Sequence, residues 1–252
     1  MASTALTRTS SASATKGTLS MWVKRSKLGS SQHLHYNATS NANNHALIVF
    51  TSANQIEMYI TTNGAHTIKR VTNRKFADTN AWYHFVFVSD VNNSTAQHRM
   101  RIYVNGVEET SFSTNDSPSG AANRFYEASA SNDHVIGANN TNGGPFDGLI
   151  SHVYNIVDTV YAPSDFGETD ATTGQWKIKT APSVTFGSQG YLILKDGNTI
   201  TDQSDNSNDF TLAAGTLTKT EDSPSNVFAT FNPLLGLTGA VFSQGNTYFY
   251  RS

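Results

Sequence analysis

Two strand-length segments rich in apolar and aromatic residues constrain the fold of this chain more than any other feature. Residues 18–26 and 81–90 each carry a tryptophan near the start and continue with apolar or alternating residues. Such runs, separated by clusters of Asn, Gly, Ser and Asp, are typical of all-β proteins. The pattern predicts strands at residues 18–24, 46–51, 55–61, 67–71, 82–89, 99–104, 107–112, 133–137, 148–156, 191–195 and 210–213.

The order of side chains within these strands predicts two stacked sheets. In the strand at 82–89, alternate residues from Trp82 to Val88 share one face and those from Tyr83 to Phe87 share the other. Both faces are apolar apart from His84, so we expect a central strand covered on both sides and a hydrogen-bonded core histidine. The strand at 99–104 alternates apolar and polar residues, which predicts one buried and one wet face.

Local turn signals are clear at three places. Asn105-Gly106 and Asn63-Gly64 each separate two predicted strands, and both residue types accept the positive φ of a type I′ hairpin turn. Residues 163–166, which begin with Pro163, predict a short helical turn.

Composition excludes several classes of function. Only 14% of the 252 residues are charged, the formal net charge is -2, and no basic stripe suited to nucleic acid is present. We interpret the small cluster of Lys24, Arg25 and Lys27 as a solvated strand end. No run approaches the roughly 20 apolar residues of a membrane helix. The absence of cysteine excludes disulfides and thiolate chemistry and favours a reducing cytosol as the place of assembly, as does an N-terminus unlike a secretory signal.

The order of these segments resembles a known fold. Residues 18–26, 81–90, 100–108, 134–137 and 146–156 together resemble the laminin G-like or concanavalin A-like jelly roll. The resemblance implies an all-β, two-sheet antiparallel jelly-roll sandwich. Fold alone does not identify a reaction, because function depends on sites carried by the fold.

A second resemblance lies mainly in the C-terminal third, at residues 157–168, 173–177, 202–210 and 222–233, and also at the start, at residues 6–10. These segments, in this order, resemble those of lectin-fold structural proteins of tailed phages, particularly marine ones. This resemblance implies a virion component, either in a tail fibre or appendage or as a capsid-surface decoration. Such a protein is assembled in the host cytoplasm, is exposed on the particle and binds other virion proteins.

We expect two parts in the chain. Residues 1–217 are predicted to form the lectin-like sandwich. Residues 218–252, in which prolines and glycines separate apolar residues, are predicted to form an extended C-terminal arm that packs on a neighbouring subunit of a homo-oligomer.

Candidate binding residues lie in the predicted loops. Recognition of a host-surface polysaccharide would use exposed aromatic rings that stack on sugars, together with amides that bind hydroxyls. The candidates are Tyr36, Asn37, Phe125, Tyr126, Asn139, Asn140 and Asn142. The alternative is that the aromatic residues cover the ends of the sandwich, while Trp22, Trp82 and Trp176 belong to the core.

No cofactor is expected, and calcium is the one candidate ion. A dense set of oxygen donors occurs at Asp202, Asp205, Asn206, Asn208 and Asp209, with spacing that does not match an EF-hand. Asx turns at the entrance of a strand explain the same residues. His33 and His35 are two residues apart and would share a strand face, but no third metal ligand is evident.

We expect a protein without catalytic activity. A glycoside hydrolase of the concanavalin A-like class needs two facing carboxylates, and the nearest sequence fragment, Glu168-Thr169-Asp170, lacks the second glutamate. A polysaccharide-cleaving enzyme and a secreted bacterial adhesin module remain the alternatives.

Overall fold

The computed structural model describes residues 4–38, 43–116, 123–126, 132–195, 197–225, 240–243 and 248–251. Its strands are β1 (Ala5–Thr9), β2 (Lys16–Arg25), β3 (Gln32–Ala38), β4 (His45–Phe50), β5 (Gln55–Thr62), β6 (Ala65–Lys75), β7 (Tyr83–Asp90), β8 (Met100–Val104), β9 (Val107–Glu108), β10 (Phe112–Asp116), β11 (Asp133–Ile136), β12 (Gly148–Val157), β13 (Gly167–Thr169), β14 (Trp176–Ile178), β15 (Tyr191–Ile193), β16 (Thr211–Ala214), β17 (Ala240–Ser243) and β18 (Tyr248–Arg251). Short 3₁₀ turns occur at Ala96–Arg99 and Pro163–Asp165.

Two antiparallel sheets form the sandwich. The larger sheet has eight strands in the order β10-β6-β5-β4-β3-β11-β1-β16, and the smaller has six in the order β15-β12-β2-β7-β8-β9. β13–β14 and β17–β18 are separate two-stranded hairpins. The chain therefore has the predicted all-β jelly-roll architecture.

Apolar residues from the inner faces of both sheets fill the space between them. Ile48 and Phe50 of β4 meet Phe85 and Phe87 of β7 in one continuous cluster. Phe50 and Phe85 pack edge to face, with ring centroids 5.8 Å apart. β7 thus has one face in the main core, as predicted.

The outer face of the six-stranded sheet is also covered. Val86 and Val88 of β7 pack there with Phe166 and Phe186, which come from the segment after β12. Trp22 and Trp82 form a neighbouring buried cluster. The prediction of a central strand covered on both sides is therefore confirmed, and the segment from residue 158 to residue 187 supplies the cover.

The turn predictions are confirmed. Asn63 and Gly64 have φ values of 52° and 80°, and Asn105 and Gly106 have 50° and 84°, so both pairs are left-handed as a type I′ turn requires. Gly106 has a second reason to be glycine, because an added Cβ would lie 2.5 Å from the ring of Trp176. The short helical turn at Pro163 is present as well.

Several strands escaped the sequence pattern. β1 and β3 alternate weakly, yet both lie inside the larger sheet. β1 carries Arg8 between two threonines, and four of the seven residues of β3 are polar or histidine. The single strand predicted at residues 107–112 is two strands in different sheets, β9 and β10. The chain leaves one sheet for the other at this point, which residue alternation does not reveal.

The basic cluster after Trp22 is not solvated, so that interpretation is wrong for two of its members. Lys24 is 1% exposed and Arg25 is fully buried. The Arg25 guanidinium lies 4.2 Å from the centroid of the Phe50 ring and donates to the Phe76 carbonyl at 2.7 Å. Burial lowers the pKa of Arg25 to about 10. The two residues point to opposite faces of β2, and both faces are buried.

Asp222 ties the C-terminal segment to the sandwich. Its carboxylate accepts a hydrogen bond from Lys24 Nζ at 2.6 Å and another from Trp82 Nε1 at 2.8 Å, and all three side chains are buried. The first residues of the predicted arm therefore belong to the sandwich unit. The hairpin β17–β18 lies further along, residues 226–239 and 244–247 lie outside the described residues, and packing of the arm on a neighbour stays a prediction.

Replacing Asp222 by asparagine should strongly destabilise the fold, because it leaves the Lys24 ammonium buried without a counter-charge. We expect a loss of about 3–5 kcal/mol in the free energy of unfolding, measured by urea denaturation. Adding Lys24→Met should recover much of this loss, since no buried charge then remains. The control is Glu57→Gln, which breaks the partly exposed Glu57–Lys69 pair and should cost about 1 kcal/mol or less. If Asp222→Asn and Glu57→Gln lowered the free energy of unfolding equally, Asp222 would not be the contact that ties the C-terminal segment to the sandwich.

Candidate functional site

A polar groove runs along the edge of the larger sheet where β1 pairs with β11 and β16. It has a volume of about 540 Å³ and opens to solvent. We call it the edge groove, and its lining consists of Thr7, Arg8, Thr9, Ser11, Asp133, Ser207, Asn208, Asp209 and Thr211. Hydroxyls, amides, carboxylates and one guanidinium thus share a single concave surface.

Strand register positions one side of the groove. Thr9 lies opposite Asp133, and Thr7 lies opposite Thr211, because β1 runs antiparallel to both of its neighbours. Thr9 Oγ1 donates to Asp133 Oδ1 at 3.0 Å, and both residues retain solvent contact. Backbone pairing therefore fixes these two side chains more firmly than a free loop would.

Arg8 forms the floor of the groove. Its guanidinium donates to Asn208 Oδ1 at 2.6 Å and to the Gln189 carbonyl at 3.3 Å, and it lies 5.7 Å from the centroid of the Tyr191 ring. Burial lowers the pKa of Arg8, while the nearby Tyr191 and Asp202 partly oppose this shift. Among the described residues no carboxylate lies within 4 Å of this guanidinium. Arg8 therefore joins β1 to two loops at the end of the sandwich.

The other side of the groove is the loop predicted to bind calcium. Asp202 is buried, and its two oxygens accept four hydrogen bonds at 2.8–2.9 Å: from Leu192 N, Ser204 N, Ser204 Oγ and Asn208 N. Asp209 Oδ1 accepts from Asp202 N at 2.8 Å. Asp205 is exposed.

The amides of this loop hold the preceding turn. Asn206 Nδ2 donates to the carbonyls of Gly187 and Gly190, and Asn208 Nδ2 donates to those of Ser188 and Gly190. Asp202, Oδ1 of Asp209 and Oδ1 of Asn208 already accept hydrogen bonds from the protein, and several of these bonds have the pattern of Asx turns. In the described part of the chain, no group of three His, Asp or Glu side chains is suited to a metal. Calcium binding by this loop stays a prediction.

The predicted sugar-binding residues do not form one exposed site, although Asn37 donates to the Phe125 carbonyl in the interior. Phe125 and Tyr126 are each 3% exposed and lie in the main core, so the expectation of exposed rings at these positions is wrong. Tyr36 is 8% exposed on the outer face of the larger sheet, and Asn37 is buried inside the sandwich. The physical reason is that these residues close the ends and faces of an aromatic-rich core.

Asn139, Asn140 and Asn142 lie in the loop after β11. The Asn139 side chain organises this loop by accepting from Thr141 N at 3.0 Å and Gly143 N at 2.7 Å. Asn140 is exposed, and Asn142 is half-buried with a φ of 59°. Because Asp133 begins β11 and this loop follows the end of that strand, the loop is separate from the edge groove. A role of these amides in sugar binding stays a prediction.

The remaining candidate residues have structural contacts. A bulge in β3 separates His33 from His35 in register: His33 Nδ1 lies 3.2 Å from the Gly144 carbonyl, whereas His35 packs against His134. The expectation that the two histidines share a face is therefore wrong. Glu168 and Asp170 both pair with the exposed Lys177, at 3.4 Å and 3.1 Å.

His84 is the hydrogen-bonded core histidine that the sequence predicted. Trp176 Nε1 donates to His84 Nδ1 at 2.9 Å, so the ring proton is on Nε2 and points to Ser20 Oγ at 2.9 Å. Trp22 stacks on the same imidazole with ring centroids 4.7 Å apart. Burial, and to a smaller degree His152, lowers the pKa of His84 to about 3. His84 fastens the β13–β14 hairpin to the smaller sheet, and Trp22 and Trp82 are buried as predicted.

Comparison with known proteins identifies the family. The family model Laminin_G_3, described as the concanavalin A-like lectin/glucanases superfamily, matches residues 2–161. The chain therefore belongs to this superfamily. No curated protein matches the chain.

Several solved structures are similar at low identity. A putative carbohydrate-binding protein from Bacteroides ovatus is 14% identical with a TM-score of 0.48, covering 90% of this chain and 63% of that one. The CBM40 of a Ruminococcus gnavus sialidase is 14% identical (TM-score 0.44, 61% of this chain and 81% of that one). A heptameric pentraxin from Limulus polyphemus is 16% identical (TM-score 0.44, 63% of this chain and 71% of that one).

In the described residues no helix is long and apolar enough to cross a membrane.

We expect Asp202 to matter through hydrogen bonds and not through calcium. Asp202→Ala removes the acceptor of four hydrogen bonds and should lower the free energy of unfolding by about 3 kcal/mol. The matched control Asp205→Ala changes an exposed residue of the same loop and should cost about 0.5 kcal/mol or less. Millimolar calcium should leave the unfolding temperature of the unchanged protein where it is. A calcium-dependent rise that Asp202→Ala abolishes would show that the loop does bind the ion.

Proposed function

We propose that this protein is a non-catalytic, glycan-binding structural component of a phage particle and that it binds sugar in the edge groove. The observation that carries the proposal is the chemistry of this groove: an open concave surface with paired hydroxyl and carboxylate groups, on a fold of the concanavalin A-like lectin superfamily. The proposed sugar-binding site is therefore the edge groove and not the loops that the sequence analysis had suggested.

The chemistry of the groove fits the hydroxyl groups of a polysaccharide. A sugar hydroxyl both donates and accepts, and charged acceptors make the stronger hydrogen bonds. Asp133 and Asp209 supply such acceptors, while Thr7, Thr9 and Ser11 supply hydroxyls that can donate or accept. None of the described residues that line the groove is aromatic. Each contact is therefore expected to be weak, and several copies on one particle would raise the overall affinity.

A polysaccharide-cleaving enzyme is the second candidate, and one observation favours it: Asp133 and Asp209 line the same groove. Glycosidic cleavage requires two carboxyl groups in fixed opposition across the scissile bond. Here one oxygen of each carboxylate accepts a hydrogen bond, from Thr9 for Asp133 and from the Asp202 amide for Asp209, and the second oxygen remains available to a sugar hydroxyl. Both residues keep solvent contact in an open groove, so binding without cleavage is the better interpretation.

Mutation of Asp133 tests the glycan proposal. We expect the purified protein to bind selected bacterial surface polysaccharides on a glycan array, and Asp133→Ala to weaken binding about tenfold or more through the loss of a charged acceptor. The matched control is Asp116→Ala in β10, at the opposite edge of the same sheet. Both variants should unfold at the same temperature as the unchanged protein. If both variants bound the glycan equally well, the edge groove would not be the binding site. If the protein released shorter oligosaccharides from the polysaccharide, it would be an enzyme.

The particle role is tested by locating the protein in purified virions with cryo-electron microscopy. This part of the proposal is supported by the phage-like sequence segments in the C-terminal third, and it includes the homo-oligomer and the arm that contacts a neighbour. Density on a tail fibre or appendage would indicate host attachment, and density on the shell would indicate a capsid decoration. Absence from the particle would contradict the structural role.

A further inference from the structure

One end of the sandwich interior is polar, although the rest is apolar. His35, Asn37 and His134 lie on the inner side of the larger sheet, and Asn155 and Tyr191 come from the smaller sheet. All five residues are at most 2% exposed. The His35 and His134 rings lie 5.6 Å apart, and Tyr191 is 6.4 Å from His134. We call these five residues the interior polar cluster.

Hydrogen bonding requires one of the histidines to be neutral. Asn37 Nδ2 lies 3.2 Å from the Phe125 carbonyl, which only accepts, so this atom is the amide nitrogen. The same nitrogen donates to His134 Nε2 at 3.0 Å. A ring nitrogen that accepts carries no proton, so His134 is neutral with its proton on Nδ1.

The interior polar cluster contains no carboxylate that could balance a positive charge. Both ring nitrogens of His35 and Nδ1 of His134 have no hydrogen-bond partner in the described protein. Arg8 lies directly opposite His134 in the β1–β11 register and adds a cation nearby. Tyr126 and Tyr191 face the cluster as neutral phenols whose pKa values are raised by burial. The charge of the Asp202 carboxylate acts to raise the pKa values of Arg8 and Tyr191. This carboxylate already accepts four hydrogen bonds from its own surroundings.

The electrostatics agree with the geometry. Burial lowers the pKa of His35 to about 4. Burial also holds the pKa of His134 well below its usual range, and the nearby His35 and Arg8 lower it further. An open or unfolded chain has ordinary histidines with a pKa of about 6.5.

We propose that His35 and His134 form an acid-sensitive switch that opens this end of the sandwich. Protons bind to the open state in preference to the closed state. The stabilisation is therefore complete above about pH 6.5 and is lost progressively as the pH falls toward 4. The elements that must separate are β3 and β11, which carry the two histidines, and the Phe125–Tyr126 segment that packs against them.

The pH dependence of unfolding tests the switch on the full chain. Between pH 6 and pH 4.5 the unfolding constant should rise by up to about tenfold per pH unit for each of these histidines. His35→Gln and His134→Gln should each remove up to one such factor, because glutamine is polar but does not titrate. His33 and His84, whose pKa values are also lowered, continue to contribute in both variants. The control His98→Gln removes an exposed histidine and should leave the slope unchanged. An unchanged slope in both cluster variants would overturn the proposal.

A second measurement does not depend on the variants folding. Titration of the unchanged protein by nitrogen-detected NMR should show His35 and His134 neutral at pH 5 while the chain is folded, with the His134 proton on Nδ1. Titration of either ring near pH 6.5 in the folded protein would overturn the switch. Neither experiment involves sugar binding, so the result is independent of the edge groove.

Discussion

The structure depends on burial of the six-stranded sheet on both faces. Its inner face packs against the larger sheet, and its outer face is covered by residues that follow β12. Because both faces are dry, every polar group on β2 and β7 needs a partner from the protein. Lys24 pairs with Asp222, and Trp82 donates a hydrogen bond to the same carboxylate. His84 forms hydrogen bonds with Ser20 and Trp176. These contacts unite the C-terminal third with the sandwich.

The same constraint explains why a chain with so few charges buries several of them. Arg25 and Arg8 are satisfied largely by carbonyls, amides and aromatic rings, without a carboxylate within 4 Å in the described residues. Arg70 donates to the Gln97 carbonyl and lies over the Phe112 ring. Guanidinium groups suit this environment because they donate in several directions and stack on ring faces. In the described part of the chain, several atoms of the interior polar cluster have no hydrogen-bond partner, and Arg25 Nε and Gln32 Nε2 also have none.

The edge groove is a consequence of how the last strands are attached. β16 adds to the free side of β1, and the loop before it folds onto the turn at residues 187–190 through Asn206 and Asn208. The groove then lies between this loop and the end of β11. Asp133 and Asp209, which are far apart in sequence, become two walls of one site.

The sequence by itself determined the all-β class, the two Asn-Gly hairpins and the central position of β7, because residue alternation and turn chemistry are local properties. The resemblance to the laminin G-like jelly roll indicated the correct superfamily. Only the tertiary structure decided that Lys24 and Arg25 are buried, that Phe125 and Tyr126 belong to the core, and that the acidic loop binds itself. Several of these outcomes depend on partners distant along the chain: Asp222 lies 198 residues after Lys24, and Asn208 of the acidic loop lies 200 residues after Arg8. No local pattern carries such information, since the partner is chosen by the packing of the sheets.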